Sequence, residues 1–378
     1  MTVAHLFWAL SYGGIETMLV NIANEQQRQG AEVYVIIINN LIADELAGKI
    51  SPEVKLVKIN RPVGSKSLAF IPRLNRALSI INPDIIHLHG SKLYDFLYRR
   101  WYQGGACRVC STLHAMPYGV LGSSLRVIRI VQDLICHQGG NVININRINK
   151  VFSISNIVAE SLKSNYGVDS TVVYNGIQTR LFEQRDVVMC GDVIRIVQVS
   201  RLHYEKKGQD LLIEAAGRLA KKGFGFKIDF IGDGESKSYL ESLSLKLGLK
   251  DKVKFLGAMP QDYLIKHLKD YDLFVQPSRY EGFGLTVAEA MSANVPVLVS
   301  SGQGPAEVTE GERYGWVFER NSVDDLTARL EHVFTHYDLC LDKVEMARKH
   351  VMSNYDVTVT ARRYLEMYRN ILEEDAKN

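Results

Sequence analysis

The sequence predicts a soluble α/β protein of two domains, each built on a buried parallel sheet. Three observations carry that expectation. Short apolar runs alternate with amphipathic helical stretches along most of the 378 residues, the pattern of strands covered on both faces by crossover helices. The alternation lapses once, at LFEQRDVVMCGD, where charges cluster, and then begins again. The length also exceeds what one hydrophobic core commonly serves.

The elements follow in order. VAHLFWA is a first strand, YGG a turn, IETMLVNIANEQQRQG an amphipathic helix stopped by glycine, and EVYVIIIN the next parallel strand. Runs at DIIHLH, RVCSTLH, VFSIS and STVVYN complete the first half. VIRIVQVSRL opens the second, followed by helix DLLIEAAGRLAKKG, strand KIDFIGDG, helix SYLESLSLKLGL, strand KVKFLGA and the buried run DLFVQPS. The linker is expected near 182–192, giving domains at 1–185 and 186–356, with TARRYLEMYRNILEED forming an amphipathic helix within 357–378.

Composition narrows the function classes. Hydrophobic residues make up 46%, charged residues 23%, and the mean hydropathy is −0.06, the balance of a globular chain. No basic residue precedes the apolar amino terminus, and no run approaches the ~20 apolar residues of a transmembrane helix, so a cytoplasmic protein is expected. Cys107, Cys110, Cys136, Cys190 and Cys340 are an odd, scattered set, which argues for reduced thiols. Cys107 and Cys110 have C-x-x-C spacing but lie in a strand-like stretch, where positions three apart point to opposite faces; a metal pair is not expected. Residues 1–185 carry a net charge of +7 and residues 186–378 one of −4. A basic first half suits an anionic lipid phosphate or membrane surface, and equally a plain solvated surface. RVIRIVQDLICHQ (126–138), with Arg126 and Arg129, fits either an interfacial helix or core; YRRWYQ (98–103) fits either headgroups or solvent.

Three segments carry candidate chemistry. Gly13-Gly14, between the first strand and helix, permits close backbone approach, with free amides and a positive dipole end behind it to seat phosphate. A dinucleotide fingerprint would need G-x-G-x-x-G and an acidic residue ending the next strand; the spacing differs and that strand ends in Asn39-Asn40. In QVSRLHYEKKGQDLL, Arg201 and Lys207 follow a strand, where two cations can neutralise a leaving diphosphate, although a solvated surface explains basic loop residues too. In SRYEGFGLTVAEAMS, Glu281 and Glu289 bracket a glycine turn that opens a helix, leaving amides near Phe283, Gly284 and Leu285 as a phosphate seat. Glu289 lies too far into that helix to cap it, and as an acceptor-only carboxylate it suits vicinal hydroxyls such as those of a ribose.

Taken together, E281-GFGLTVA-E289, Gly13-Gly14 with Glu16, TLH at 112–114, VVYNGI at 172–177, VSRL and EKKG at 199–208, FIGDG at 230–234, VKFLGAMP at 253–260 and GPAE at 304–307 resemble family-four retaining glycosyltransferases of the GT-B type. The match covers most of the chain in family order. It implies two Rossmann-like domains facing each other across a cleft, with the C-terminal helix crossing back to the first. It further implies a nucleotide sugar held mainly by the second domain and an acceptor by the first. Arg201 and Lys207 would bind the diphosphate, helped by Gly282, Phe283, Gly284, Leu285 and Thr286, and by Gly13 and Gly14 from the first domain. Glu289 would hold the ribose, Met259 would border the base, Glu281 and His114 would contact the transferred sugar, and Asn175 the acceptor. His114 also has a simpler reading as a packed or capping residue.

The expected function is therefore retaining, metal-independent transfer of a hexose or N-acetylhexosamine to a growing, lipid-linked surface glycan. No cofactor is expected beyond the nucleotide diphosphate sugar as co-substrate; UDP-sugar is favoured, with GDP-mannose second. The first domain would meet the cytoplasmic face of the membrane, and nucleic acid is not an expected partner. A nucleotide-sugar epimerase of the same plan and a noncatalytic nucleotide-sugar or glycan-binding subunit are the alternatives. Two decoys are set aside: Asp270-Tyr271-Asp272 spells D-x-D but sits at an element boundary, and Asp233 occupies a Gly-Asp-Gly turn.

Overall fold

The computed structural model describes residues 1–11, 13–101, 107–114, 148–186 and 191–376. The 126–138 segment, Cys136, Cys190 and the end of the 98–103 stretch lie outside the described residues. The chain divides into two compact units, one formed by Met1–Gly176 with Val357–Asn378 and the other by Ile177–Asp356.

Among the described residues the first unit holds a seven-stranded, wholly parallel sheet. Its strands are β1 (Thr2–Phe7), β2 (Glu32–Asn39), β3 (Lys55–Arg61), β4 (Ile85–Leu88), β5 (Arg108–Leu113), β6 (Lys150–Ser153) and β7 (Thr171–Val172), in the order β3-β2-β1-β4-β5-β6-β7. The second unit holds six parallel strands: β8 (Ile194–Val199), β9 (Phe226–Ile231), β10 (Val253–Gly257), β11 (Leu273–Gln276), β12 (Val297–Ser300) and β13 (Trp316–Phe318). Their order, β10-β9-β8-β11-β12-β13, repeats that of the first six strands of unit one. The expected alternation is thus present twice. β3, β12 and β13 were not singled out in the sequence; β3 is an edge strand whose exposed lysines break its apolar run.

The boundary falls earlier than the expected 185/186. Phe182 and Arg185 are buried, the Glu183 amide donates to the Ile265 carbonyl at 3.0 Å, and the Arg185 guanidinium bonds Asp272 at 2.8 Å. The charge cluster read as a linker contains anchors of the second unit.

Local signals explain the helices. Ser155 and Ser322 cap helices Asn156–Tyr166 and Val323–Thr335 by accepting from Val158 and Asp325 amides, and Gly167 ends the first of these. In unit two, Leu211, Leu212, Leu219, Phe226, Phe230, Leu273 and Leu298 join one core; each such burial contributes about 1.5–3 kcal/mol. Cys107 and Cys110 are free thiols that enter different cores, as positions three apart on a strand should. Among the described residues no helix is long and apolar enough to cross a membrane.

The helix Val357–Ala376 belongs to the first unit and buries Ala361, Tyr364, Leu365 and Tyr368, the spacing of one helical face. Its tyrosines meet polar groups on the sheet. Tyr368 Oη bonds His87 Nδ1, His87 Nε2 lies 2.7 Å from Thr112 Oγ1, and Thr112 Oγ1 lies 3.0 Å from Tyr364 Oη. Tyr368→Phe should leave His87 Nδ1 buried without its partner and cost about 1–3 kcal/mol, measurable as faster amide exchange in β1, β4 and β5. Burial lowers His5 to about 4, with the Gln26 hydrogen bond opposing, and lowers His87 and His89 well below the ordinary imidazole value, helped by neighbouring histidines. Between pH 6.5 and 4 the unfolded imidazoles take up protons that the folded ones refuse, so this unit should lose stability as pH falls through that window, by up to about 1.4 kcal/mol per pH unit for each histidine. Exchange rates that stay flat from pH 7 to 5, after correction for intrinsic chemistry, would contradict this.

Candidate functional site

In the second unit, β8 lies beside β11, and the strand order runs away from them in opposite directions. The crevice outside the carboxyl ends of two such strands is where open α/β sheets bind ligands. The loop after β8 enters the short helix Tyr204–Lys207, closed by Gly208 at φ 67°. The loop after β11 passes Arg279 and Glu281, then turns at Gly284, φ 102°, into helix Leu285–Ser292.

These loops are locked together. A β-carbon on Gly208 would stand 2.0 Å from the Pro277 carbonyl oxygen, so only glycine fits there. The Arg279 amide donates to the Lys206 carbonyl at 2.8 Å, and its guanidinium grips both Asp210 oxygens at 2.7 and 2.8 Å, a bidentate pair. The outcome is an ion pair between Lys207 and Glu281, whose side chains are 23% and 22% exposed. Glu281 is itself fixed by backbone: its amide donates to Gln303 Oε1 at 2.9 Å and its carbonyl accepts from Gly304 at 2.9 Å. Arg201 is exposed just after the end of β8, with its carbonyl held by Gln209 Nε2 at 2.9 Å.

Helix Leu285–Ser292 has a glycine N-cap with no side chain to satisfy its first-turn amides, which any helix leaves without intrahelical partners. Leu285 and Thr286 belong to that turn, and Gly282 and Phe283 to the loop before it. About one turn in, Glu289 is 7% exposed. Its Oε1 accepts from Gln261 Nε2 at 2.8 Å, while Oε2 is buried with no hydrogen-bond partner among the described residues. Burial raises this carboxyl to about 7, against the pull of the Gln261 bond. A buried carboxylate with one oxygen uncommitted is arranged to accept hydrogen bonds from a ligand. Gln261 opens the helix Gln261–His267 just after half-buried Met259, and so brings the β10 loop to Glu289. Sequence reasoning passed over Gln261, because a lone glutamine after A-M-P carries no spacing signal.

Neither decoy joins this site. Asp272, at the start of β11, accepts from Arg185 and from the amide and guanidinium of Arg195; burial works to raise its pKa, but those bonds hold it below the usual range. Asp270 bonds His267 at 2.9 Å, and Asp233 accepts from the Gly234 amide at 2.9 Å.

The first unit carries the remaining candidates. Gly13 caps helix Gly14–Arg28 with extended backbone, φ −176°, and Ser11 donates to Glu16 Oε1 at 3.0 Å. His114 directly follows β5; its Nε2 lies 3.0 Å from His89 Nδ1, and its Nδ1 is buried with no partner among the described residues. Asn175 is buried after β7, beside Tyr174, whose carbonyl accepts from Thr360 Oγ1 at 3.0 Å; the start of the closing helix thus borders it. His5, His87 and His89 were missed as a set. Their signal was parity: residues 5, 87, 89, 112 and 114 continue one face of β1, β4 and β5 through the registers His5↔His87 and His87↔Cys110.

Comparison with known proteins matches both halves. Residues 183–350 match the family described as glycosyl transferases group 1, and residues 12–181 that described as glycosyltransferase family 4. The chain is 30% identical over 317 residues to the uncharacterized glycosyltransferase MJ1607 of Methanocaldococcus jannaschii, covering 78% of this chain and 77% of that one. It is 28% identical over 311 residues to the lipopolysaccharide core biosynthesis mannosyltransferase LpsB of Rhizobium meliloti, covering 76% and 82% respectively. The crystal structure of Anabaena Alr3699/HepE in complex with UDP and glucose superposes with a TM-score of 0.77 at 19% identity, over 98% of this chain and 100% of that one. Matched along both halves and built on the GT-B fold, the chain belongs to the group 1 glycosyltransferases.

Proposed function

We propose that this glycosyltransferase moves a hexose or N-acetylhexosamine, with retention and without a metal, from a nucleotide diphosphate sugar to a growing lipid-linked surface glycan. A UDP-sugar is the favoured donor and GDP-mannose the second. The observation that carries the donor reading is Glu289, a buried carboxylate with an oxygen that has no partner among the described residues, one turn behind a glycine-opened helix N-terminus on the loop that also carries Glu281 of the Lys207–Glu281 pair. A nucleotide diphosphate supplies what that set lacks: vicinal ribose hydroxyls for Glu289, and anionic oxygens for Lys207, Arg201 and the amides of Leu285 and Thr286. UDP in the HepE complex supports the base. The name of LpsB supports a surface-glycan acceptor and keeps a mannosyl donor in view. The acceptor glycan and the cytoplasmic membrane face belong to this proposal on the basis of the resemblance and the basic first half.

The chemistry follows from charge. As the anomeric carbon loses its bond to the diphosphate, negative charge grows on the leaving oxygens and positive charge on the ring. Lys207 and Arg201 stabilise the former. Glu281, holding Lys207 in place, accepts from hydroxyls of the sugar.

Thermal shifts with UDP, GDP, ADP and NAD test the reading, since a ligand that binds the native state raises the melting temperature by linkage. UDP or GDP should stabilise selectively; a shift with NAD alone would overturn it, and nucleotide binding without transfer or hydrolysis across lipid-linked acceptors would favour a binding subunit. Lys207→Ala should lower kcat about 100-fold, the scale of one lost oxyanion contact, with less change in KM; unchanged turnover would remove its role. The ionised form of Glu289 is the one that accepts two hydroxyls, so nucleotide affinity should fall as pH drops below about 7, by up to roughly tenfold per pH unit, and be flat above it. Calorimetry should show that dependence vanish, together with most of the affinity, in Glu289→Gln.

A further inference from the structure

Beside His114 the first unit carries a continuous line of hydrogen-bonded imidazoles. Gln26 Oε1 lies 2.7 Å from His5 Nε2, His5 Nδ1 lies 3.0 Å from His89 Nε2, and His89 Nδ1 lies 3.0 Å from His114 Nε2. His5, His89 and Gln26 are each 3% exposed or less. At the far end, His114 Nδ1 is buried without a partner among the described residues. The line spans helix Gly14–Arg28, β1 and the residues just beyond β4 and β5, so no single element builds it.

Such a line has a direction. A neutral imidazole has one N–H and one lone pair, so fixing the first bond fixes every later one. Gln26 Oε1 only accepts; His5 must therefore donate from Nε2 and accept at Nδ1. His89 then donates from Nε2 and accepts at Nδ1, and His114 donates from Nε2. We propose that Gln26, His5 and His89 are positioning residues that hold His114 as its Nε2–H tautomer, leaving its Nδ1 lone pair as a hydrogen-bond acceptor for a hydroxyl of a sugar substrate. The identity of that hydroxyl donor rests on the function proposed above.

Two observations support the line. Each member must be neutral, because an imidazolium donates from both nitrogens and breaks the direction; burial lowers His5 and His114 to about 4 and, with the neighbouring histidines, His89 well below the ordinary imidazole value. The nitrogens of His5, His87 and His89 also cluster closely enough to suggest a metal, but every one already has a hydrogen-bonding partner: His87 is engaged by Tyr368 and Thr112, and the other two by the line itself. The arrangement satisfies itself without a cation.

The test is the tautomer. In long-range nitrogen–proton correlation spectra of the intact protein labelled with 15N-histidine, assigned with His114→Ala, His114 should show a protonated Nε2 and a bare Nδ1. Gln26→Met and His89→Phe should each leave His114 exchanging between tautomers. Both variants should lower kcat about tenfold while KM stays within about twofold, with melting curves confirming that they fold. A protonated Nδ1 in the unsubstituted protein would mean that the Gln26 amide is turned the other way and would overturn the assignment; so would an unchanged tautomer in the variants, or a scrambled tautomer with unchanged kcat. The spectra need no turnover. Absence of sugar transfer from every donor would therefore count against the proposed function, while the tautomer still decides whether the line orients His114.

Discussion

The candidate site in the second unit depends on one close approach, that of Gly208 to the Pro277 carbonyl. Loops leaving β8 and β11 come from strands that are neighbours in the sheet, yet adjacent strands alone do not set side-chain geometry beyond their ends. A residue with a β-carbon at 208 would push the loops apart. With glycine there, Arg279 reaches both the Lys206 carbonyl and Asp210, and Lys207 meets Glu281. The cation and carboxylate are thus held by backbone and by a second, larger ion pair, not by each other alone.

Much of this was legible in order but not in contact. The alternation of strands and helices gave both sheets, and the glycine turn between Glu281 and Glu289 marked a helix start with open amides. The pairing of Lys207 with Glu281, 74 residues apart, was not legible, because each was read in its own segment. Glu289 was legible as lying about one turn into its helix, but its burial and the hydrogen bond from Gln261 required the β10 loop to arrive. The boundary was placed late because Glu183 and Arg185 look like linker charges until Ile265 and Asp272 are seen to receive them.

The histidines failed for a related reason. Taken singly, each fits a core or capping role, and the apolar residues around them make that reading easy. Only when β1, β4 and β5 are set in register does one face show imidazoles side by side, with His87 and His89 rings stacked at 4.5 Å. A buried sheet face tolerates so many polar groups because most of their nitrogens and oxygens find partners. Gln26 supplies one from the covering helix, and Tyr364 and Tyr368 supply others from the closing helix.

That closing helix comes from the far end of the chain: residues 177–356 form the second unit before the backbone returns to the first. The second unit is, in chain order, an insertion. Synthesis from the amino terminus therefore delivers the whole of Ile177–Asp356 before Tyr364 and Tyr368 exist. On the ribosome the later unit has its full sequence while the earlier one still lacks the helix that seals it. Maturation of the amino-terminal half therefore waits until the second unit has been translated.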